Sequence, residues 1–315
     1  MTTENNIEDN LSITDNENRI VLQIALIATL YIEKGHTLQK REAIADCFQE
    51  YRSRVGEHLI WAHSGKKGFQ KLNEANIDDP NQWLRRSDWD IRSGWEFFWH
   101  GGEQKDAASH FRMRGFGARK KDSELHNALS FLNVCLPLTW FADHLGGLPS
   151  TLLHWCQKLD PIQGYAGIGI VDSPNRFLSP RYEGMIYTMA KRYPGLEIDY
   201  PLNHSLWLKN GIKGGNWLTL LGEHWLNQLG GSRILTEKLG EAFKIYEYNN
   251  GIMIQAGDKP ELGAVNRKLY PRHYPKLAKI LKPIRIKEHP GVHSTGPFDK
   301  EEFEAWLARF DAINI

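Results

Sequence analysis

The 315-residue sequence has few cysteines, almost no net charge and no apolar run suited to crossing a bilayer. Its 39 lysines and arginines balance 38 aspartates and glutamates, which leaves a formal charge of +1. Proteins that coat nucleic acid or an anionic membrane need a strong basic excess, so this balance argues against both classes. The apolar run at residues 20–32 is too short for a membrane helix, which takes about 20 residues. We therefore expect a chain without a membrane partner.

The three cysteines, Cys47, Cys135 and Cys156, lie in apolar runs and form no C-x-x-C pair. Buried free thiols in a reducing compartment are the simplest interpretation of this pattern. A catalytic thiolate is the alternative, and it requires a histidine partner and an electropositive pocket.

The N-terminal residues 1–19 carry five acidic side chains, five asparagines and one arginine. A secretory signal has the reverse pattern, with positive charge ahead of an apolar run. We expect a disordered polar tail over residues 1–19, a single domain over residues 20–315 and a cytoplasmic location.

Apolar patterns along the chain predict several regular elements. Residues 20–33 are rich in Val, Ile, Leu and Thr, which favours a buried strand, whereas the apolar spacing over residues 38–59 is helical. Aromatic side chains alternate over residues 95–99, as on one face of a strand. A further strand is predicted at Leu196–Tyr200, with a stop at Pro201.

The C-terminal stretch FDKEEFEAWLARF carries the clearest helix signals. Asp299 fits an N-cap and Glu302 the third helical position, an aspartate form of the capping box. Phe298 and Phe303 suit the hydrophobic staple that fixes how the chain enters a helix. We expect an amphipathic helix docked on the body through the apolar stripe of Phe303, Trp306, Leu307 and Phe310.

Two stretches of the chain resemble each other. LGGLPSTLLHWCQKLDPIQGYAGIGI starts at Leu145, and LGGSRILTEKLGEAFKIYEYNNGIMI starts at Leu229. Each stretch predicts a helix followed by a strand, and an apolar run that suits a strand precedes it. The pattern strand–helix–strand is therefore predicted twice, at about residues 130–174 and 214–260. Duplication of one unit and coincidence of a common motif both explain this. The predicted fold class is α+β, with mixed sheets, packed helices and two similar halves.

Motifs for nucleotide, serine-hydrolase and zinc-protease chemistry are absent from the sequence. Asp172 and Asp258 follow two predicted strands at related places, so they form either an acid–base or metal pair or, more simply, two Asp-x-Pro turns. His289 and His293 are four apart, but Pro290 and Gly291 between them favour a loop over a metal-binding helix.

The basic run at residues 264–287 mixes cations with tyrosines, a pattern typical of nucleic-acid binding. Its apolar positions Leu277, Ile280 and Leu281 favour instead a short helix docked on the core, with lysines such as Lys276 and Lys279 solvated outside. A second basic cluster, FRMRGFGARKK, is predicted to be a loop.

Four segments in this order resemble the type VI secretion immunity family: LSPRYEGMIYTMAKRYPGLEIDYP, GGNWLTLLGEHWLNQLGG, GIMIQAGDKPELGAVN and YPKLAKILKPIRI. The resemblance runs from about residue 20 to residue 287. Ala264 departs from the family pattern, which often has Asp after the Gly of P-x-L-G.

The resemblance implies a non-enzymatic immunity protein with no cofactor and no metal. Its implied partner is a cognate secreted effector toxin with a VRR-type nuclease domain, a DNase, which the protein neutralises by blocking the active site. No motif of the family marks the binding residues, so none is carried over. An uncharacterised hydrolase using Asp172, Asp258 or the histidines, and a nucleic-acid-binding module using residues 264–287, are the alternatives.

Overall fold

One large antiparallel sheet organises the protein. The structure, a computed structural model, describes residues 11–64, 68–72, 78–90, 92–140, 147–291 and 296–313. The strands are β1 Ile13–Thr14, β2 Ile20–Ile32, β3 Trp61–Ser64, β4 Gln70–Lys71, β5 Trp95–His100, β6 Arg112–Gly117, β7 Ser130–Leu136, β8 Gln163–Asp172, β9 Leu218–Gly222, β10 Phe243–Tyr248 and β11 Gly251–Ala256. Their order across the sheet is β10-β11-β9-β8-β2-β7-β6-β5-β3-β4, with β1 also paired to β2.

Strand β2 lies at the centre of the sheet, and this explains its composition. Its 13 residues are almost all buried, as is expected when both faces of a strand are covered. It pairs with β7 on one side and β8 on the other. The strand predicted at residues 20–33 is confirmed.

Ten α-helices surround the described part of the sheet. They are α1 Leu38–Val55, α2 Pro80–Trp83, α3 Lys120–Leu125, α4 Gly147–Leu159, α5 Glu183–Arg192, α6 Pro201–His204, α7 Glu223–Gln228, α8 Ser232–Leu239, α9 Tyr274–Leu281 and α10 Lys300–Leu307. The α+β class is therefore confirmed. None of the helices in the described ranges has the length and apolarity that a membrane span requires.

The sheet was expected to be mixed, but every strand pair that the structure describes is antiparallel. Strands β7 and β8, joined through α4, do point the same way. They are not neighbours, because β2 lies between them and pairs antiparallel with both. The expected strand Leu196–Tyr200 is wrong, since this segment makes only one parallel bridge, from Glu197 to Gly169.

The two similar segments share one topological feature and differ in another. In each, two strands of equal direction flank one other strand: β2, from outside the first segment, lies between β7 and β8, and β11, from within the second segment, lies between β9 and β10. The second segment contains an additional helix and an additional strand. Internal duplication and the single domain over residues 20–315 therefore stay predictions.

The polar tail is ordered in its second half, contrary to the expectation for residues 1–19. Ile13–Thr14 pair with β2, and the Asp15 carboxylate accepts hydrogen bonds from the backbone N–H of Arg19 and from its guanidinium. These contacts fix the backbone locally. Residues 1–10 lie outside the described residues.

The C-terminal helix matches its sequence prediction. The Asp299 carboxylate accepts a hydrogen bond from the Glu302 N–H at 2.9 Å and caps α10. The Phe298 and Phe303 rings lie 6.2 Å apart, edge to face. The stripe predicted for this helix is buried at Phe303, Trp306, Leu307 and Phe310.

Candidate functional site

A cleft of about 410 Å³ opens on one face of the sheet, above β5, β6 and β7. The loop at residues 173–180 forms one wall, and residues 199–203 form another. The floor residues are Glu96, Phe98, Arg112, Arg114 and Asn133. We call this feature the arginine cleft.

Strand alternation explains why this floor is polar. On β5, Phe97 and Trp99 point to the opposite face, where their rings lie 5.1 and 4.9 Å from that of Phe48 on α1. Gly115 on β6 allows this packing, since a Cβ there would lie 2.3 Å from the Phe97 ring. Because successive side chains of a strand alternate between faces, Phe98 and Arg114 are left facing the cleft.

The carboxylates that line the cleft have partners within the protein. Glu96 pairs with Arg114 at 2.6 Å. Asp172 accepts a hydrogen bond from the Ser179 hydroxyl and lies 3.6 Å from the Arg112 guanidinium.

Not every cation of the cleft has a carboxylate partner. Arg176 is exposed and pairs with no carboxylate in the part of the chain that the structure describes. Burial lowers the pKa of His63, and the nearby charges of Arg114 and Arg176 add to this effect. Arginine therefore carries the positive charge of the cleft at neutral pH.

A buried polar network continues from the floor of the cleft under the central strands. The Asp199 carboxylate accepts hydrogen bonds from Thr29 at 2.5 Å, from Tyr165 at 2.6 Å and from Asn133 at 3.0 Å. The Lys213 ammonium donates to the Tyr165 hydroxyl at 3.1 Å. Burial raises the pKa of Tyr165 well above its ordinary value, and the Asp199 charge adds to this.

Lys213 connects this network to a buried carboxylate and two histidines. Its ammonium lies 2.5 Å from the Glu197 carboxylate and 3.2 Å from His204 Nε2. His204 Nδ1 is 3.1 Å from His289 Nε2. Burial, reinforced by Lys213, lowers the pKa of His289 to about 4 and that of His204 well below its ordinary value, so both rings are neutral at pH 7.

The network has no room for a substrate. The cavity beside Tyr165, Glu197 and Lys213 is about 10 Å³. Helix α10 and the residues that follow it cover this cavity, since Trp306 and Arg309 line it and the Phe303 ring lies 4.5 Å from that of His289. These buried charges are paired and hydrogen-bonded, as stability requires, but they are closed to solvent.

The proposed carboxylate pair is not brought together. Asp172 lies in the cleft beside Arg112 and Ser179, whereas Asp258 is exposed and pairs with Lys244 at 2.8 Å. Asp172 is the last residue of β8 and pairs with Leu22 of β2, whereas Asp258 lies in a bend two residues after β11, so the turn interpretation fits only Asp258. His289 is buried on His204, and His293 lies outside the described residues. The described ranges contain no group of three or more His, Cys, Asp or Glu side chains placed to hold a metal ion.

The cysteines fit the structural interpretation. All three are free and buried. Burial raises the pKa of Cys135 to about 11, and those of Cys47 and Cys156 well above their ordinary value. Thiols with raised pKa values are poor nucleophiles.

The two basic clusters differ in structure. Residues 264–287 contain α9, where Leu277 and Leu281 are fully buried and Lys279 is exposed, as expected for a docked helix. FRMRGFGARKK is not a loop, because its first part is strand β6 with Met113 buried in the core. The alternation of Arg112, Met113 and Arg114 was the signal for a two-faced strand.

The arginine cleft as a whole was missed by sequence reasoning. Its side chains come from strands β3, β5, β6, β7 and β8 and from connecting segments that are distant in the chain, so no local motif predicts them. Glu96 and His100, which alternate with Trp95, Phe97 and Trp99 along β5, were the available signal. They predict a second, polar face, but not which other segments surround it.

Comparisons with known proteins agree with this architecture. A family model described as TsiV, type VI immunity for VRR-NUC, matches residues 43–310. Among solved structures, one titled Pseudomonas aeruginosa T6SS protein PA0821 is similar with a TM-score of 0.86 and 25% sequence identity, covering 96% of this chain and 88% of that chain. No curated protein matches the chain significantly.

Proposed function

The chain belongs to the TsiV family, type VI immunity for VRR-NUC, and from this premise we propose that it neutralises its effector by covering the nuclease active site rather than by catalysis. The family match over residues 43–310 is the observation that carries the proposal. The effector substrate is DNA, and the protein acts in the cytoplasm, where an incoming nuclease reaches DNA.

The binding role sets the required affinity and interface. A toxin must be held at low cellular concentration, which requires a nanomolar Kd, or about −12 kcal/mol. A stable interface buries on the order of 1,600 Å² in total. The arginine cleft and its rim offer a concave, ordered surface on which such an interface can be built.

The charge of the protein favours occlusion by shape over imitation of DNA. A mimic of DNA in a basic nuclease cleft would be strongly acidic, whereas this chain has a formal charge of +1. We expect the affinity of the complex to depend weakly on salt. A steep loss of affinity with salt, with the slope of a DNA competitor, would contradict occlusion by shape.

The proposal is tested by titrating the purified protein into a DNA-cleavage assay of its cognate VRR-NUC effector. We expect cleavage to stop at about one equivalent, as an affinity far below the assay concentration requires. The two proteins should then elute together on gel filtration. Full cleavage with excess protein, and separate elution, would contradict the proposed function.

A further inference from the structure

The loop at residues 173–178 presents an exposed aromatic side chain at the rim of the arginine cleft. Phe177 is 84% exposed, more than any other large apolar side chain in the described residues. Its neighbours Pro174 and Arg176 line the cleft. An aromatic side chain left in water beside a concave surface is typical of an interface anchor.

The loop is held in one conformation by its own hydrogen bonds. The Asn175 side-chain oxygen accepts a hydrogen bond from the Phe177 N–H at 2.9 Å. The Ser173 hydroxyl accepts one from the Asn175 N–H at 3.2 Å and donates to the Asp106 carbonyl at 2.6 Å. Leu178 is buried and anchors the far end. A loop ordered in advance loses little conformational entropy on binding, which favours affinity.

The exposed charge without a partner at the rim of the cleft is positive, because the third carboxylate of the lining, Asp199, is buried and hydrogen-bonded to neutral side chains. Glu96 and Asp172 are occupied by Arg114, Arg112 and Ser179, whereas Arg176 beside Phe177 has no carboxylate partner among the described residues. An arginine in this position is suited to a bidentate contact with a carboxylate. Nucleases that use divalent metals hold the ions with carboxylates, so an acidic segment is a general feature of such an active site.

We propose that the arginine cleft is the effector-binding surface, where Phe177 enters an apolar pocket of the nuclease and Arg176 pairs with a carboxylate next to it. The inference deepens the proposed function and rests on it. The partner is thus an acidic segment of the effector with an apolar depression beside it, and not the basic surface that holds DNA.

The chain offers a matched control pair at the other end of the sheet. Arg233 and Ile234 are also adjacent, Arg233 is exposed and Ile234 is 38% exposed. They lie on α8, which leads into the edge strand β10, and they do not line the cleft. The same substitutions at this pair measure the effect of charge and apolar loss away from the cleft.

The experiment measures the Kd of the purified effector for the wild-type protein and the variants Phe177→Ala, Arg176→Glu, Ile234→Ala and Arg233→Glu. We expect Phe177→Ala and Arg176→Glu each to weaken binding by about 30-fold or more, the range of interface anchors, at an unchanged thermal midpoint. Arg176→Lys should bind with intermediate affinity because it keeps the charge and loses the bidentate geometry. The α8 variants should bind as the wild type does.

Two results would contradict different proposals, one the binding surface and the other the immunity function. Wild-type inhibition that is unaffected by Phe177→Ala and Arg176→Glu would overturn the assignment of the cleft and leave the immunity function intact. A wild-type protein that neither binds nor inhibits would overturn the proposed function itself.

Discussion

The two ends of one sheet face serve different purposes. Over the central strands the polar side chains of Tyr165, Lys213 and Glu197 are buried under α10, beside a cavity of about 10 Å³. Over β5–β7 the same face is open, with a cleft of about 410 Å³. Asn133 connects the two ends, since it lines the cleft and donates a hydrogen bond to Asp199 of the network. Polar side chains are paired and closed to solvent at the closed end, whereas at the open end Arg176 is exposed without a carboxylate partner among the described residues.

Removing the cover of the closed end should have the largest effect. Deletion of residues 298–315 removes buried Phe298, Phe303 and Trp306, and each such side chain contributes about 1.5–3 kcal/mol of burial free energy. We expect the thermal midpoint to fall sharply, measured by circular dichroism. Phe177→Ala at the open end is the control and should not change the midpoint. An unchanged midpoint after the deletion would mean that α10 does not close the network.

The loss of a single ion pair should destabilise the protein much more at the closed end than at the open end. Lys213→Met removes the nearer cation of the buried Glu197 carboxylate and leaves only the Arg309 guanidinium at 3.9 Å, which should cost about 3–5 kcal/mol of unfolding free energy. Arg114→Met in the cleft removes a pair that is partly exposed, and it should cost about 1 kcal/mol or less. Urea unfolding of the two variants measures both values. Equal losses would show that the cleft is as dependent on its charges as the network.

Acid should lower the free energy of unfolding because the buried histidines of the closed end resist protonation. The pKa of His289 is about 4 in the folded protein, below its ordinary value, so the unfolded chain takes up a proton first as the pH falls. The stabilisation is complete above pH about 6.5 and is lost towards pH 4, by up to about 1.4 kcal/mol per unit of pKa difference. Urea unfolding at pH 7 and pH 5 should show this loss in the wild type. His289→Gln, which cannot titrate, should lose less, and an identical loss would exclude His289 as a cause.

The smallest effect is expected on the helix of the basic run, which belongs to neither end. The Lys279 side chain is exposed on α9, whereas Lys276 donates a hydrogen bond to the Leu239 carbonyl at 2.7 Å. Lys279→Glu should therefore change the unfolding free energy by about 0.5 kcal/mol or less. It should also leave inhibition of the effector unchanged. Retention of the wild type on DNA at physiological salt, lost in Lys279→Glu, would favour the nucleic-acid-binding alternative.

The regular elements and the polar sites differ in how far the sequence predicts them. Residues 20–32, α1 and α10 were predictable because their apolar periodicity and capping residues are local. The family was recognisable from sequence segments that follow one another in the order typical of the family. The network and the cleft were not, because Thr29, Asn133, Tyr165 and Asp199 meet only through the order of strands in the sheet. The error at Arg112–Gly117 was avoidable, because the buried Met113 between two arginines already indicates a two-faced strand.

The most direct test of the central claim is hydrogen–deuterium exchange of the protein, free and bound to its effector. The account predicts that binding slows exchange in the loop at residues 173–178 and at residues 199–203, and leaves α8 and β10 unchanged. Protection confined to α8 and β10, with the cleft exchanging as in the free protein, would contradict it.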